Sequence, residues 1–234
     1  MLKRVLMSWS SGKDSAWALH TLRQQPDLEV RALLTTFNES ADRVAMHAVR
    51  SELVRAQAAA VQLPLWEVGL PWPCSNDEYE RRMAAAVARA RSEGFTHVAF
   101  GDLFLEDVRR YREERLAGTG LDPVFPLWGI PTDSLARDMV NGGVRAVLTC
   151  VDPRCLSPTF AGREFDATLL RDLPPGVDPC GERGEFHTFV WDGPMFATPI
   201  SIERGVTVDR DGFVFADVLP SDRVTSTAPT HATP

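Results

Sequence analysis

The chain has 234 residues, 44% of them hydrophobic, and carries a net charge of −7. That length allows one domain with at most a small second unit, and the apolar share suits a packed core. The acidic balance argues against nucleic acid as the main partner, which needs a basic face.

No stretch approaches the ~18 apolar residues of a membrane span. The nine residues before Ser10 do not read as a signal peptide, so a cytoplasmic protein is expected. The four cysteines (74, 150, 155 and 180) form no C-x-x-C pair and read as reduced thiols, not as zinc ligands.

A first strand is predicted over residues 4–9. It runs straight into Ser10-Ser11-Gly12-Lys13-Asp14-Ser15, and a helix is predicted over 16–24. A strand–loop–helix unit of this kind can bind an anion, since backbone N–H groups and the helix dipole converge at the helix start. Gly12 allows close backbone approach, and the serines supply hydroxyl donors. Lys13 is one of only two lysines among 25 basic residues, and it places a point charge suited to phosphate. Asp14 does not fit simple anion binding and points to a metal-associated phosphate.

Further strands are predicted over 29–37, 65–69, 97–101 and 145–150. Met46, Val49, Leu53, Ala56 and Ala60 recur at helical spacing, as do Tyr79, Met83, Val87 and Ala90 within 78–93. Gly94 sits where that second helix should stop. A further helix is predicted over 132–141, ended by Gly142-Gly143.

The alternation predicts an α/β unit over residues 1–151, a Rossmann-like parallel five-stranded sheet wrapped by helices. Its ligand edge, at the carboxyl ends of the strands, would gather residues 10–15, Thr36-Phe37-Asn38 and Gly101-Asp102. After residue 152, prolines break the chain. Short strands are predicted over 186–191, 200–203, 207–209 and 213–217. A smaller C-terminal α+β domain over 152–220 is expected beside the ligand edge. The Ser/Thr/Pro/Ala-rich tail, 221–234, is expected to be disordered.

A second polar constellation lies at 178–196. Glu182 and Glu185 occupy a Gly-flanked loop, and His187 and Thr188 follow at once. Alone, this reads as an acidic turn entering a hairpin.

The first loop is not the usual P-loop, because Asp14 follows the lysine. It resembles the pyrophosphate-binding loop of the N-type ATP pyrophosphatases, with Ser11 where the first glycine is usual. Taken with the second constellation, the chain resembles the diphthine–ammonia ligase family. The residues that carry the likeness are Gly181-Glu182-Arg183-Gly184-Glu185 followed by Thr188, then Asp192-Gly193-Pro194. Gly101-Asp102 with Arg112 and Arg115, and Pro126-Leu127-Trp128, complete it. Arg183 departs from the small or polar residue common there, and 106–112 lacks the Tyr-Gln-Arg pattern, although Tyr111 is near. The Arg- and Ala-rich composition points to a bacterial member, for which diphthine is not an expected substrate.

The resemblance implies a HUP-type fold and an enzyme that uses ATP and Mg²⁺. Such an enzyme adenylylates a carboxylate, small or protein-borne, releases pyrophosphate, and amidates the acid with ammonia. It implies that Lys13 and the amides of residues 11–15 hold the outer phosphates, with Ser10 and Ser15 bonding phosphate oxygens and Asp14 holding the metal. Adenine would lie near Thr35, Thr36 and Phe37. His47 is either a further adenine contact or a polar residue in the next helix's first turn. Asp102, beside Gly101, would bind metal or substrate, or cap a helix.

Glu182 and Glu185 would orient ammonia, with His187 as base. Arg112, Arg115, Trp128 and Thr188 would face the substrate. Two other readings keep the nucleotide site: sulfur transfer to a tRNA base, and nucleotide binding without chemistry. A homodimer is compatible with the sequence, but no stripe of residues specifies one.

Overall fold

Val5, Leu6 and Met7 are buried in succession in the first strand, β1 (Lys3–Ser8), so both of its faces are covered. That is the mark of a strand inside a parallel sheet. In the computed structural model, which describes residues 2–40, 43–44 and 49–221, β1 is the centre of such a sheet. His47 and residues 222–234 of the predicted tail lie outside the described residues.

The chain leaves β1 through α1 (Lys13–Arg23) to β2 (Leu28–Asn38), which pairs with β1 in parallel. The short β3 (Arg43–Val44) pairs antiparallel with the end of β2. After α2 (Ser51–Ala60), β4 (Leu65–Leu70) adds in parallel to the other side of β2. The chain then returns through α3 (Asn76–Ser92) to β5 (His97–Ala99) on the opposite side of β1. Helix α4 (Glu106–Leu116) leads to β6 (Asp122–Val124) beside β5. Five strands are therefore parallel, in the order β4-β2-β1-β5-β6. The direction of growth reverses around β1, so the loops after β1 and β5 meet at the switch point, where such sheets bind ligands.

Alternation along β1 sends Val5 and Met7 to one core and Leu6 to the other. The first core takes Leu19 and Leu22 of α1 and Leu53 of α2; the second takes Ala86 and Ala90 of α3. Helix α3 starts at Ser75, whose hydroxyl accepts from the Glu78 amide at 3.2 Å. It stops at Gly94, which has the left-handed φ of 80° that the sequence predicted for a stop. Helix α5 has its predicted bounds, Thr132–Asn141.

The predicted strand at 145–150 is a correction. It forms β7 (Arg145–Val151), but it joins a second, antiparallel sheet in the order β8-β7-β10-β9. The other members are β8 (Phe186–Asp192), β9 (Ile202–Arg210) and β10 (Phe213–Pro220), and the short α6 (Ala167–Asp172) precedes them. The fifth parallel strand is β6 instead, three residues long with a proline in the middle. A buried apolar run such as β7 fits either kind of sheet, and periodicity alone does not name its partner. The two strands predicted at 200–203 and 207–209 are one strand, β9, read as two across Gly205.

The first core continues into the second sheet through Val147, Phe189 and Val218. No helix of the described residues is long and apolar enough to cross a membrane.

Candidate active site

Helix α1 begins at Lys13, three residues before the apolar pattern suggested, so the anion loop is only residues 9–12. Ser11 has a left-handed φ of 71°, a backbone state that explains why glycine is usual at this position. Its carbonyl accepts from the Val190 amide at 3.1 Å and from Gln57 Nε2 at 3.0 Å. Gln57 also accepts from Trp9 Nε1 at 2.8 Å and donates to the Val190 carbonyl at 2.6 Å. One wholly buried side chain thus ties the loop to β8.

The N-cap, Gly12, has no side chain to cap the helix. Thr188 does so from β8: its Oγ1 accepts from the Lys13 amide at 3.1 Å. A Cβ on Gly12 would meet the Thr188 carbonyl at 3.3 Å. Thr188, predicted to face substrate, is in place a capping group for the loop. Gly101, at the end of β5, packs just as tightly. A Cβ there would lie 2.9 Å from the Ser15 nitrogen, so a side chain at 101 would press on the first turn of α1.

The loop's hydroxyls engage one another. Ser10 Oγ donates to Ser15 Oγ at 3.1 Å, and Ser15 Oγ donates to the Gly12 carbonyl at 2.9 Å. The Gly12 amide points at Ser10 Oγ at 3.4 Å. Of the amides predicted to hold phosphate, those of Gly12 and Lys13 are therefore engaged inside the protein. Ser11 Oγ is buried without a partner among the described residues.

Lys13 is 2% exposed. Its ammonium contacts Asp14 Oδ2 at 2.9 Å, donates to the Cys180 carbonyl, and sits 5.5 and 5.4 Å from the rings of Phe165 and Phe186. Burial opposes its charge, but Asp14, Cys180 and Glu182 outweigh burial and raise its pKa above the ordinary value. Asp14 keeps one oxygen, Oδ1, buried and unpartnered among the described residues. Burial raises its pKa despite the Lys13 ammonium.

Asp102 repeats the pattern. Its Oδ2 is buried, with only Arg112 Nε opposite it at 3.5 Å among the described residues, and burial raises its pKa against the pull of that arginine. Two under-compensated carboxylate oxygens, one in the first turn of α1 and one on the loop after β5, suit a hard divalent cation. Among the described residues no group of three or more His, Cys, Asp or Glu side chains is placed to hold a metal ion between them. Mg²⁺ commonly takes one or two carboxylates together with phosphate oxygens and waters.

Glu182 reaches the same place from the second constellation. Its Oε1 accepts from the Leu103 amide at 2.8 Å. Burial raises its pKa to about 7, Asp14 and Asp102 push the same way, and the Leu103 amide and Lys13 oppose. Glu185 is different. It is buried, and its oxygens accept from the amides of Asp178 (3.1 Å) and Arg183 (3.0 Å). Asp178 in turn accepts from Cys180 and Glu182 amides at 3.3 and 2.9 Å. Burial pushes the Cys180 thiol pKa far up, which suits a structural cysteine. His187, on β8, has its pKa lowered to about 4 by burial and by Lys13, so it is neutral at pH 7.

The remaining predicted residues fall in two groups. Thr35 Oγ1 donates to the Trp9 carbonyl at 2.7 Å and Phe37 is in the core, which leaves Thr36 as the half-buried member of that trio. Trp128 packs on Phe125, with Arg109 4.8 Å above its ring. Arg112 is at the site edge beside Asp102, whereas Arg115 is exposed and pairs with Glu80 at 2.6 Å. Gln57 and Asp178 were missed. Gln57 carried a usable signal, since it follows Leu53 by four residues on the apolar face of α2.

Residues 3–121 match the family model described as diphthamide synthase N-terminal domain, and 131–214 match the diphthamide synthase C-terminal domain. The chain is 28% identical over 151 residues to the diphthine–ammonia ligase of Bos taurus, covering 62% of this chain and 56% of that protein. It is 33% identical over 123 residues to the Danio rerio diphthine–ammonia ligase, covering 49% and 47%. The chain thus spans about half the length of these curated relatives.

Proposed function

The chain belongs to the diphthamide synthase family, and from that premise we propose that it is an ATP-dependent carbon–nitrogen ligase. It activates a carboxylic acid and passes it to ammonia. The observation that carries this reading is the convergence of Lys13, Asp14, Asp102 and Glu182 at the switch point of the parallel sheet.

A carboxylate does not condense with ammonia directly, because its leaving group would be an oxide. Attack of one carboxylate oxygen on the α phosphorus of ATP breaks the bond to the bridging oxygen and expels pyrophosphate. The nitrogen of ammonia then attacks the acyl carbon, AMP leaves, and one proton is lost. The enzyme's main task is positioning and charge neutralisation. Lys13 supplies a charge that stays on at neutral pH, and the first turn of α1 supplies the dipole. Adenine is assigned to the exposed part of Thr36 at the end of β2.

Asp14 and Asp102 are the residues that would hold Mg²⁺, which when bound neutralises phosphate charge. Glu182 is the acid we assign to the incoming nitrogen. With a pKa of about 7 it can hold a proton or release one near neutrality, as a general base requires. Glu185 and Asp178 position it by fixing the loop's amides.

The test is pyrophosphate release from ATP, with and without ammonium, across a panel of carboxylic acids. Release that needs both an acid and ammonium supports the ligase. Tight ATP binding with no turnover on any acid overturns it in favour of a nucleotide-binding role.

A further inference from the structure

An open cavity of about 240 Å³ lies against the second loop, with Phe104, Thr132, Val177, Asp178 and Arg183 among its walls. It is next to Glu182 in two ways. Phe104 follows Leu103, whose amide holds Glu182, and Arg183 follows Glu182 itself. A second cavity, about 180 Å³ and walled by Val206, Val208 and Phe215 of the second sheet, includes none of the loop residues.

Arg183 is exposed, and its guanidinium stands 5.5 Å above the Phe104 ring. Its backbone is fixed by the bond to Glu185, yet its side chain makes no ion pair among the described residues. Asp178 is the one carboxylate in the cavity wall. It is 5% exposed, and both its oxygens already accept loop amides. The cavity wall therefore sets Phe104, Val177 and Pro179 beside Thr132, and its cation, Arg183, makes no ion pair with the one wall carboxylate, which is held by loop amides.

We propose that this cavity seats the acid that is activated, and that Arg183 selects acids carrying a second carboxylate. The inference rests on the ligase reading above and gives its substrate a class: a short aliphatic dicarboxylate. A guanidinium over an aromatic ring presents parallel N–H donors that match a carboxylate. The same charge repels an acid bearing a quaternary ammonium group, so the residue both attracts and rejects.

The experiment uses the full chain and defined probes: glutarate, pentanoate and 4-trimethylammoniobutanoate. Binding is measured by calorimetry, with and without ATP and Mg²⁺, for the wild type and Arg183→Gln. Glutarate is expected to bind the wild type about ten-fold more tightly than pentanoate, and the ammonium-bearing acid least. Arg183→Gln should bring glutarate and pentanoate within about two-fold of each other, with ATP affinity unchanged. Equal binding of glutarate and pentanoate, binding of neither, or a preference that survives Arg183→Gln overturns the proposal. Failure of the ligase reading looks different: an Arg183-dependent glutarate preference with no pyrophosphate release. The converse, ammonium-dependent release on pentanoate unaltered by Arg183→Gln, removes the dicarboxylate pocket and leaves the ligase.

Discussion

The two Gly-containing loops at this site solve opposite problems. The first, after β1, is held from outside: Gln57 and Thr188 take its backbone groups, and the Lys13–Asp14 pair that follows it leaves Asp14 Oδ1 unpartnered among the described residues. The second holds itself. Asp178 and Glu185 spend their carboxylates on its own amides, and of its three acids only Glu182 reaches out to another element. A pair of acids in a motif therefore need not be a pair in the chemistry.

The sharpest way to break this contrast is Lys13→Ala. It should lower ATP-dependent pyrophosphate release by about a hundred-fold or more, and ATP affinity measured by calorimetry with Mg²⁺ should fall with it. Retained affinity would remove the first loop from nucleotide binding.

Gln57→Leu attacks the outside support. It strands the Trp9 Nε1 donor and one bond to each of the Ser11 and Val190 carbonyls, and should cost about 3 kcal/mol in urea unfolding. A loss under ~1 kcal/mol would mean the loop holds its own shape.

The two glutamates should separate in opposite directions. Glu185→Gln sets a donor against an amide donor, and is expected to lose about 1–3 kcal/mol of stability. Glu182→Gln keeps an acceptor for the Leu103 amide but loses the titrating group, so amide formation should drop while ATP still binds.

The pH dependence has a definite sign. The Glu182 pKa of about 7 lies above that of an unfolded glutamate. The folded state keeps the extra proton, so stability falls as pH rises through that window up to about 7. Glu182→Gln should flatten that slope and be more stable than the wild type at pH 8, with no gain at pH 4. An unchanged slope would mean the carboxyl is not buried as described.

The smallest effects test the edges of the contrast. Ser11→Gly relieves a left-handed serine, against the added freedom of glycine in the unfolded chain, and should change stability by less than ~1 kcal/mol in the stabilising direction. Arg115→Ala removes an exposed pair with Glu80 and should alter neither stability by more than ~0.5 kcal/mol nor turnover. Arg112→Ala, beside Asp102, should reduce turnover.

Much of this was legible in the sequence, because strand–loop–helix units announce themselves locally. Residues 10–15, the stop at Gly94 and the bounds of α5 all follow from short-range rules. What escaped was non-local or weakly patterned. Helix α4 buries only Leu116 and so carries almost no apolar period. Strand β6 is too short, and contains Pro123. The partner of β7, the Thr188 cap and the Gln57 clasp depend on segments far apart in sequence, and no window of neighbouring residues contains them.

The apolar interior that runs unbroken from Val5 and Met7 through Leu19 to Phe189 and Val218 has a mechanical consequence. Two halves that share one interior cannot swing apart as rigid jaws without wetting it. Cutting the polypeptide between α5 and β7 would bare the facing surfaces of both. The molecule should melt in a single cooperative step, and room for reactants must come from side chains and loops at the rim.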